Sequence, residues 1–375
     1  MNKNYYSLGL MSGTSMDGVD VSIIKSDGDI EFKGIFNKYF EYNDDFTKKI
    51  LKIRDKINNS KDLELYAKEL NNIEKEITLF HSKVTNEAIK ETNSNIDIIG
   101  FHGQTIFHNA KEKVSKQLGD GNLLSQETQK KVVYDFRQND LKNGGEGAPL
   151  APIFHRLISK EIKVKPPLCL INIGGIANIT SIESGEISDL RSQDIGPGNC
   201  LIDEWIKKNT DKKFDKDGLI AKSGKKDKLI LNQALDNNDN LKKNNILSYD
   251  IKDFDLSFVR GLSLEDGAAT VTEFTGKLLA DAILNYISKL HSKPRKILIC
   301  GGGRKNLTLI NCIKDNMNIG DLVENIDNYG VDGDFIESQA FAYLAIRSFL
   351  NLPISFPKTT GCKHPSTGGK LVNNF

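Results

Sequence analysis

No stretch of the 375 residues approaches the roughly 18 consecutive apolar residues that a membrane span needs. The N-terminus, Met1-Asn2-Lys3-Asn4, leads into a strand-like run without the apolar core of a secretory signal. Cysteine is scarce: Cys169, Cys200, Cys300, Cys312 and Cys362 form no CxxC pair, which argues against a disulfide framework and against structural zinc. No sign of charge is in excess. Lys plus Arg is 51 and Asp plus Glu is 50, a net charge of +1, so no polyanion-binding footprint is expected. The histidines lack the H-E-x-x-H spacing of a metal site. There is no G-x-G-x-x-G, and the nearest approach to a P-loop, Gly218 to Gly224-Lys225-Lys226, has the wrong spacing and no Ser or Thr. Lys225 and Lys226 read as a solvated surface run. What remains is a soluble, cytoplasmic protein with no membrane and no nucleic-acid partner.

What is present is enough apolar residue, 38%, for real cores, over a length of about two domains. Three strands open the chain: Tyr5 to Met11, a second in which Val19, Val21 and Ile23 alternate with polar neighbours, and Glu31 to Tyr42. Two helices follow, the second marked by the stripe Leu63, Tyr66, Leu70, Ile73, Ile77, Phe80 and Val84. Short strands at Ile96 to Phe101 and Lys131 to Phe136 lead to a break at Gly144 to Pro149 and a helix from about Leu150. A second unit opens at Leu168 with a strand, the turn Gly174-Gly175 and a returning strand, Ile176 to Ile182. It continues through a helix near Asn199 to Lys208 and a Lys/Asp/Asn-rich surface stretch from Asn209 to Asp255 with short helices. A helix at Gly267 to Leu290, a strand at Lys296 to Cys300 and a last helix at Phe335 to Leu350 complete it.

Two units that each begin strand–turn–strand and continue with alternating helices and strands imply a duplicated α/β fold. The pattern matches the actin-like (ribonuclease H-like) ATPase architecture, two domains around a nucleotide cleft. The expected domains are 1–148 with 336–375, and 149–335. Glycine turns after strands let backbone N–H groups approach a phosphate. Three such turns occur, at Gly9 to Gly18, Gly174-Gly175 and Gly301-Gly302-Gly303.

Asp194 precedes a rigid Gly196-Pro197-Gly198 turn, where a carboxylate serves either as a general base or as a turn or helix cap. Asp17 and Asp20, beside the first turn, suit Mg²⁺ or an Asx turn. His102 orients a loop at a strand end, His108 is surface or core, and His81 is structural. His155 faces either cleft or core, and Trp205 packs.

Taken together, several blocks resemble the signature of the anhydro-N-acetylmuramic acid kinases. They are Leu10 through Asp20, Gly100 through Thr105 with His108, Asp135-Phe136-Arg137, Asn172 through Asn178, Asp194 through Asn199, Cys300 through Gly303, and Glu337 with the helix after it. The resemblance spans nearly the whole chain. It implies ATP and Mg²⁺, a small-molecule sugar substrate, and hydrolytic opening of a 1,6-anhydro ring coupled to phosphorylation of O6. It further implies that Gly13, Thr14, Ser15, Met16, Asp17, Gly18, Val19 and Asp20 hold the phosphates, with Mg²⁺ on Asp17 and Asp20. Gly174 and Gly175 form the opposing turn, and Gly301, Gly302 and Gly303 lie beside adenosine. Asp194 is the base. Arg137 and Glu337 bind the sugar or form an ion pair, and His102 and Gln104 bind the sugar or support the loop. Two departures stand out: Ile195 where the family has Thr, and Glu146 where it has Gln. The first would remove a hydroxyl contact and the second would add charge near the cleft. Two other classes share these features: an actin-like ATPase acting on a protein partner, and a non-catalytic sugar-binding module. The reading leaves room for a homodimer.

Overall fold

The structure, a computed structural model, describes residues 3–237 and 254–375. The chain divides into two units. The first comprises Met1–Lys163 with Phe335–Phe375, and the second Val164–Asp334. The helix Pro152–Glu161 thus belongs to the first unit, whereas the sequence reading placed the boundary ahead of it.

In the first unit β1 (Tyr5–Ser12), β2 (Gly18–Ser26) and β3 (Phe32–Glu41) form an antiparallel meander. On the other side of β1, β4 (Ile98–Asn109) and β6 (Val132–Tyr134) add in parallel, while β5 (Val114–Leu118) pairs only with β4. In the second unit β7 (Leu168–Ile173), β8 (Ile176–Ile182) and β9 (Leu190–Pro197) repeat the meander, and β10 (Lys296–Cys300) and β11 (Val323–Asn325) add in parallel beyond β7. The orders β6-β4-β1-β2-β3 and β11-β10-β7-β8-β9 coincide, as do their strand directions. This is the duplicated actin-like fold that the repeated strand–turn–strand opening implies. A last short strand, β12 (Lys370–Val372), closes the edge beside β6.

Each sheet buries one face against helices. Leu8, Leu10, Val19, Val21 and Ile23 meet Ile50, Ile53, Leu70, Ile73 and Ile77 from the helices Asp44–Lys56 and Ala67–Thr92. Ile171, Ile173, Ala177 and Ile179 meet Leu201, Trp205, Val271 and Leu279 from Cys200–Asn209 and Leu264–Ser288. At about 25 cal/mol per Å² of apolar surface, these faces supply the main stabilising term. The other face of β1 and β4 receives the C-terminal helix Ile336–Phe349. A Cβ on Gly9 would lie 1.9 Å from the Ser338 carbonyl oxygen, and one on Gly100 would lie 2.2 Å from that of Phe341. Gly9 is therefore a packing residue inside a strand and no part of a turn.

Three local expectations change. The stripe from Leu63 to Val84 is interrupted at Tyr66, between the helices Ser60–Leu65 and Ala67–Thr92. The strand at Ile98 does not stop at Phe101 but runs through His102-Gly103-Gln104-Thr105 into a hairpin with β5. Asp194 lies within β9 and not in a turn. Of the stretch from Asn209 to Asp255, the described part carries short helices at Leu219–Ser223 and Lys228–Asn237; residues 238–253 lie outside the described residues. No helix among the described residues is long and apolar enough to cross a membrane.

Candidate active site

The first glycine turn joins β1 to β2. The Met16 amide donates to the Gly13 carbonyl at 3.2 Å, and Met16 itself takes φ 57° with its side chain buried. A Cβ on Gly13 would meet nothing nearer than Ser15 Oγ at 3.8 Å, so this face of the turn is open. Gly18 differs: its Cβ would strike the Phe40 carbonyl and the Tyr39 ring at 2.5 Å. Val19 is a core residue. The exposed or half-exposed members are thus Gly13, Thr14, Ser15 and Asp17, with Asp20 in β2 opposite Met11. Ser15 Oγ donates to Asp17 Oδ1 at 2.6 Å. Beside them the Tyr39 phenol is pushed upward in pKa by burial and then by the Asp17 charge.

Side chains missed as a group in the sequence brace this turn. His81 Nδ1 donates to the Ile77 carbonyl at 2.7 Å, so Nε2 accepts from the Ser12 hydroxyl at 3.2 Å. Tyr42 OH in turn donates to Ser12 Oγ at 3.1 Å, and the Tyr42 amide donates to the Asp17 carbonyl at 2.8 Å. Burial holds His81 neutral, with its pKa lowered to about 4. Its place on a helix reads in the sequence as structural, without a partner.

Gln104 Nε2 donates to the Gly13 carbonyl at 2.9 Å, fixing the turn from β4. His102 Nδ1 donates to the Gly103 carbonyl at 2.8 Å, leaving Nε2 to accept from Arg137 Nη2 at 2.9 Å. Its pKa lies well below the usual range because the ring is buried and because it faces the Arg137 charge. Arg137 Nη1 also donates to the Gly147 carbonyl at 2.7 Å. The Gly144 to Pro149 break wraps Asp140, whose Oδ2 accepts from the Gly147 amide at 2.8 Å. Glu146 belongs to this loop, its amide on the Thr360 carbonyl at 2.8 Å. Glu337 sits in the first turn of Ile336–Phe349, where the helix dipole favours a carboxylate.

In the second unit the structure brings the remaining candidates together at the C-terminal ends of β7 and β10, where ligands bind in open α/β sheets. The carbonyls of Gly174 and Gly175 accept from the amides of Asn199 (2.7 Å), Gly198 (2.9 Å) and Cys200 (3.2 Å). This ties the turn to the start of Cys200–Asn209. Gly198 has no room for a side chain, since its Cβ would lie 2.1 Å from the Gly174 oxygen. Gly301, at φ 78°, and Gly303 pack against Asn172 and Ile173, with Cβ positions at 2.2 and 2.3 Å from them. Gly302 and Gly174 are open, their nearest contacts being at 4.0 and 3.6 Å. Arg304, buried, holds the following loop through Asp327 at 2.9 Å, Asp332 at 3.2 Å, and Asp334. No motif in the sequence marks that cluster.

Asp194 is 7% exposed and pairs across the sheet with Asn178. Ile195 is the extra residue of a β-bulge, and its side chain enters the apolar core of the unit. The Ile-for-Thr departure therefore changes core packing, and the expected loss of a substrate hydroxyl contact does not follow.

A duplicated actin-like fold with open glycine turns at strand ends defines a protein of the ATP-using class of that fold. More narrowly, the chain belongs to the anhydro-N-acetylmuramic acid kinase family, whose model matches residues 5–374. The anhydro-N-acetylmuramic acid kinase of Pelagibacter ubique is 56% identical over the whole of both chains. That of Zymomonas mobilis is 39% identical, over 97% of this chain and 99% of its own. Among solved structures, the (R)-2-hydroxyglutaryl-CoA dehydratase component A of Acidaminococcus fermentans is similar over 92% of this chain and 98% of its own. At 11% identity and TM-score 0.45, that likeness carries no weight.

Proposed function

We propose that the protein opens the 1,6-anhydro ring of anhydro-N-acetylmuramic acid and phosphorylates O6 from ATP, giving N-acetylmuramic acid 6-phosphate in the cytoplasm. The observation that carries this is the family match over residues 5–374, together with a buried Asp194 on β9, the strand that leads to the Gly198 and Asn199 amides bonded to the Gly174-Gly175 turn. Asp194 takes a proton from water as the water oxygen bonds C1 and the C1–O6 bond breaks. O6 takes the γ-phosphoryl group, so the electrophile does the work of the general acid of an inverting glycosidase. In the first unit the open face of the turn at Gly13, Thr14 and Ser15 suits phosphate; in the second unit the open Gly174 side of the Gly174-Gly175 turn does, with Gly302 on the adenosine side. Gly301 and Gly303 shape that turn by packing.

Among the described residues no group of three or more His, Cys, Asp or Glu could hold a metal ion. Two carboxylates, Asp17 and Asp20, suit Mg²⁺, which keeps several waters and takes its other oxygens from phosphates. Bound there, Mg²⁺ would neutralise phosphate charge. His102 and Gln104 act as supports, for Arg137 and Gly13, and Arg137 and Glu337 address the sugar. An ATPase acting on a protein partner is not favoured by the family. Incubation with ATP, Mg²⁺ and the anhydro sugar is the test. Mass spectrometry should find sugar heavier by one water and one phosphoryl unit, and ADP formed at the same rate without sugar would refute the proposal.

A further inference from the structure

One row of the second sheet is polar across three strands. Asn172 pairs with Asn178, and Asn178 with Asp194. Directly paired residues project from the same face, with Cβ atoms about 4.5–5.5 Å apart. Their sequence neighbours Ile171, Ile173, Ala177, Ile179 and Ile195 all enter the apolar core, so the row lies on the opposite face. The row beneath it satisfies itself, with Thr180 Oγ1 and Ser192 Oγ at 3.2 Å. Asn178 does not: its Oδ1 is buried and accepts no hydrogen bond from the described residues. An amide oxygen kept dry without a donor works against folding. The topology does not require it either, because the matching row of the first sheet is Met11, Asp20 and Tyr39.

We propose that Asn178 is the second acceptor for the attacking water, which rests on Asp194 being the base. Water has two O–H bonds. One proton passes to Asp194 as the oxygen bonds C1, the C1–O6 bond breaks and O6 takes the γ-phosphoryl group from ATP, releasing ADP. The other O–H stays intact and donates to Asn178 Oδ1, which turns an oxygen lone pair toward C1. Asn178 is then a positioning residue that selects for a nucleophile with two hydrogens.

Methanol supplies the discriminating probe, because its single O–H can satisfy Asp194 but not Asn178 as well. Asn178→Ala should lower kcat by about 10- to 100-fold, the scale of a misplaced reactant, with KM for ATP and sugar nearly unchanged. In water–methanol mixtures the fraction of methyl glycoside 6-phosphate should rise several-fold over the unmodified enzyme. Asn178→Ser, which retains a short polar group, carries the same test if the alanine variant does not fold. Unchanged kcat, an unchanged methanol fraction (including none from either enzyme), or a rise in sugar KM in place of the kcat loss would each overturn the assignment. Asp194→Asn, run alongside, separates the failures. If it stays active, the base reading falls. If it is inactive while the Asn178 variants behave normally, only the present proposal falls.

Discussion

Lowering the pH from 7 to 5 should destabilise the fold steeply, before most carboxylates titrate. Three histidines are buried, His81 and His155, with pKa lowered to about 4, and His102, lowered well below its usual value; the half-buried His108 is lowered to about 3. Burial is the first cause in each, joined by the Arg137 charge for His102 and His108. Because each folded pKa lies below the unfolded one near 6.5, the unfolded chain takes up protons that the folded chain refuses. The stabilising contribution is complete above about pH 6.5 and shrinks as pH falls toward the folded values. For a ring moved from 6.5 to 4, linkage gives a loss of about 2 kcal/mol between pH 7 and pH 5. Three such rings sum to roughly 5–6 kcal/mol, with His102 adding in the same direction, against a typical total of about 5–15 kcal/mol. Urea unfolding at pH 7, 6 and 5 should show the midpoint dropping through that window. His81→Gln should be less stable at pH 7, having lost its bond with Ser12, but its pH slope should be shallower by roughly a quarter. A midpoint that stays flat from pH 7 to 5 would refute the account of neutral buried rings.

Other outcomes follow from the same geometry. Asp194→Asn should retain the thermal midpoint and ATP binding while turnover falls about 10²–10⁴-fold, the usual effect of losing a positioned base; near-normal turnover would make Asp194 a structural residue of β9. Gly198→Ala, with its Cβ 2.1 Å from the Gly174 oxygen, should cost about 1–3 kcal/mol in urea unfolding and move the phosphate turn. Gln104→Ala frees the Gly13 carbonyl and should raise KM for ATP several-fold while leaving sugar KM alone; the reverse pattern would make Gln104 a sugar contact. Arg304→Met should cost about 2–3 kcal/mol through lost charged hydrogen bonds to Asp327, Asp332 and Asp334.

Much of the duplicated fold could be seen in the sequence, because the strand–turn–strand opening recurs at Tyr5 and at Leu168 and alternating helices and strands follow each. Glycines were harder to sort. Gly13, Gly174 and Gly302 face open space, whereas Gly9, Gly18, Gly301 and Gly303 are small because another backbone or side chain lies against them. Only three-dimensional neighbours distinguish the two reasons. Asp194 was visible from the Gly-Pro-Gly run after it, but its partner Asn178 was not, since antiparallel register, set by the bulge at Ile195, decides which residue stands opposite. The Ser12–Tyr42–His81 brace joins three elements distant in sequence, each of which reads locally as ordinary packing. The same is true of His102 and Arg137, two separate motif residues whose mutual hydrogen bond neither motif predicts.

The most direct measurement of the central claim is turnover of the anhydro sugar in oxygen-18 water with ATP and Mg²⁺, with the label located by mass spectrometry. The account predicts one labelled oxygen at C1 of the phosphorylated sugar and none in its phosphate. Label in inorganic phosphate, with the anhydro ring intact, would contradict it and leave simple ATP hydrolysis as the reaction.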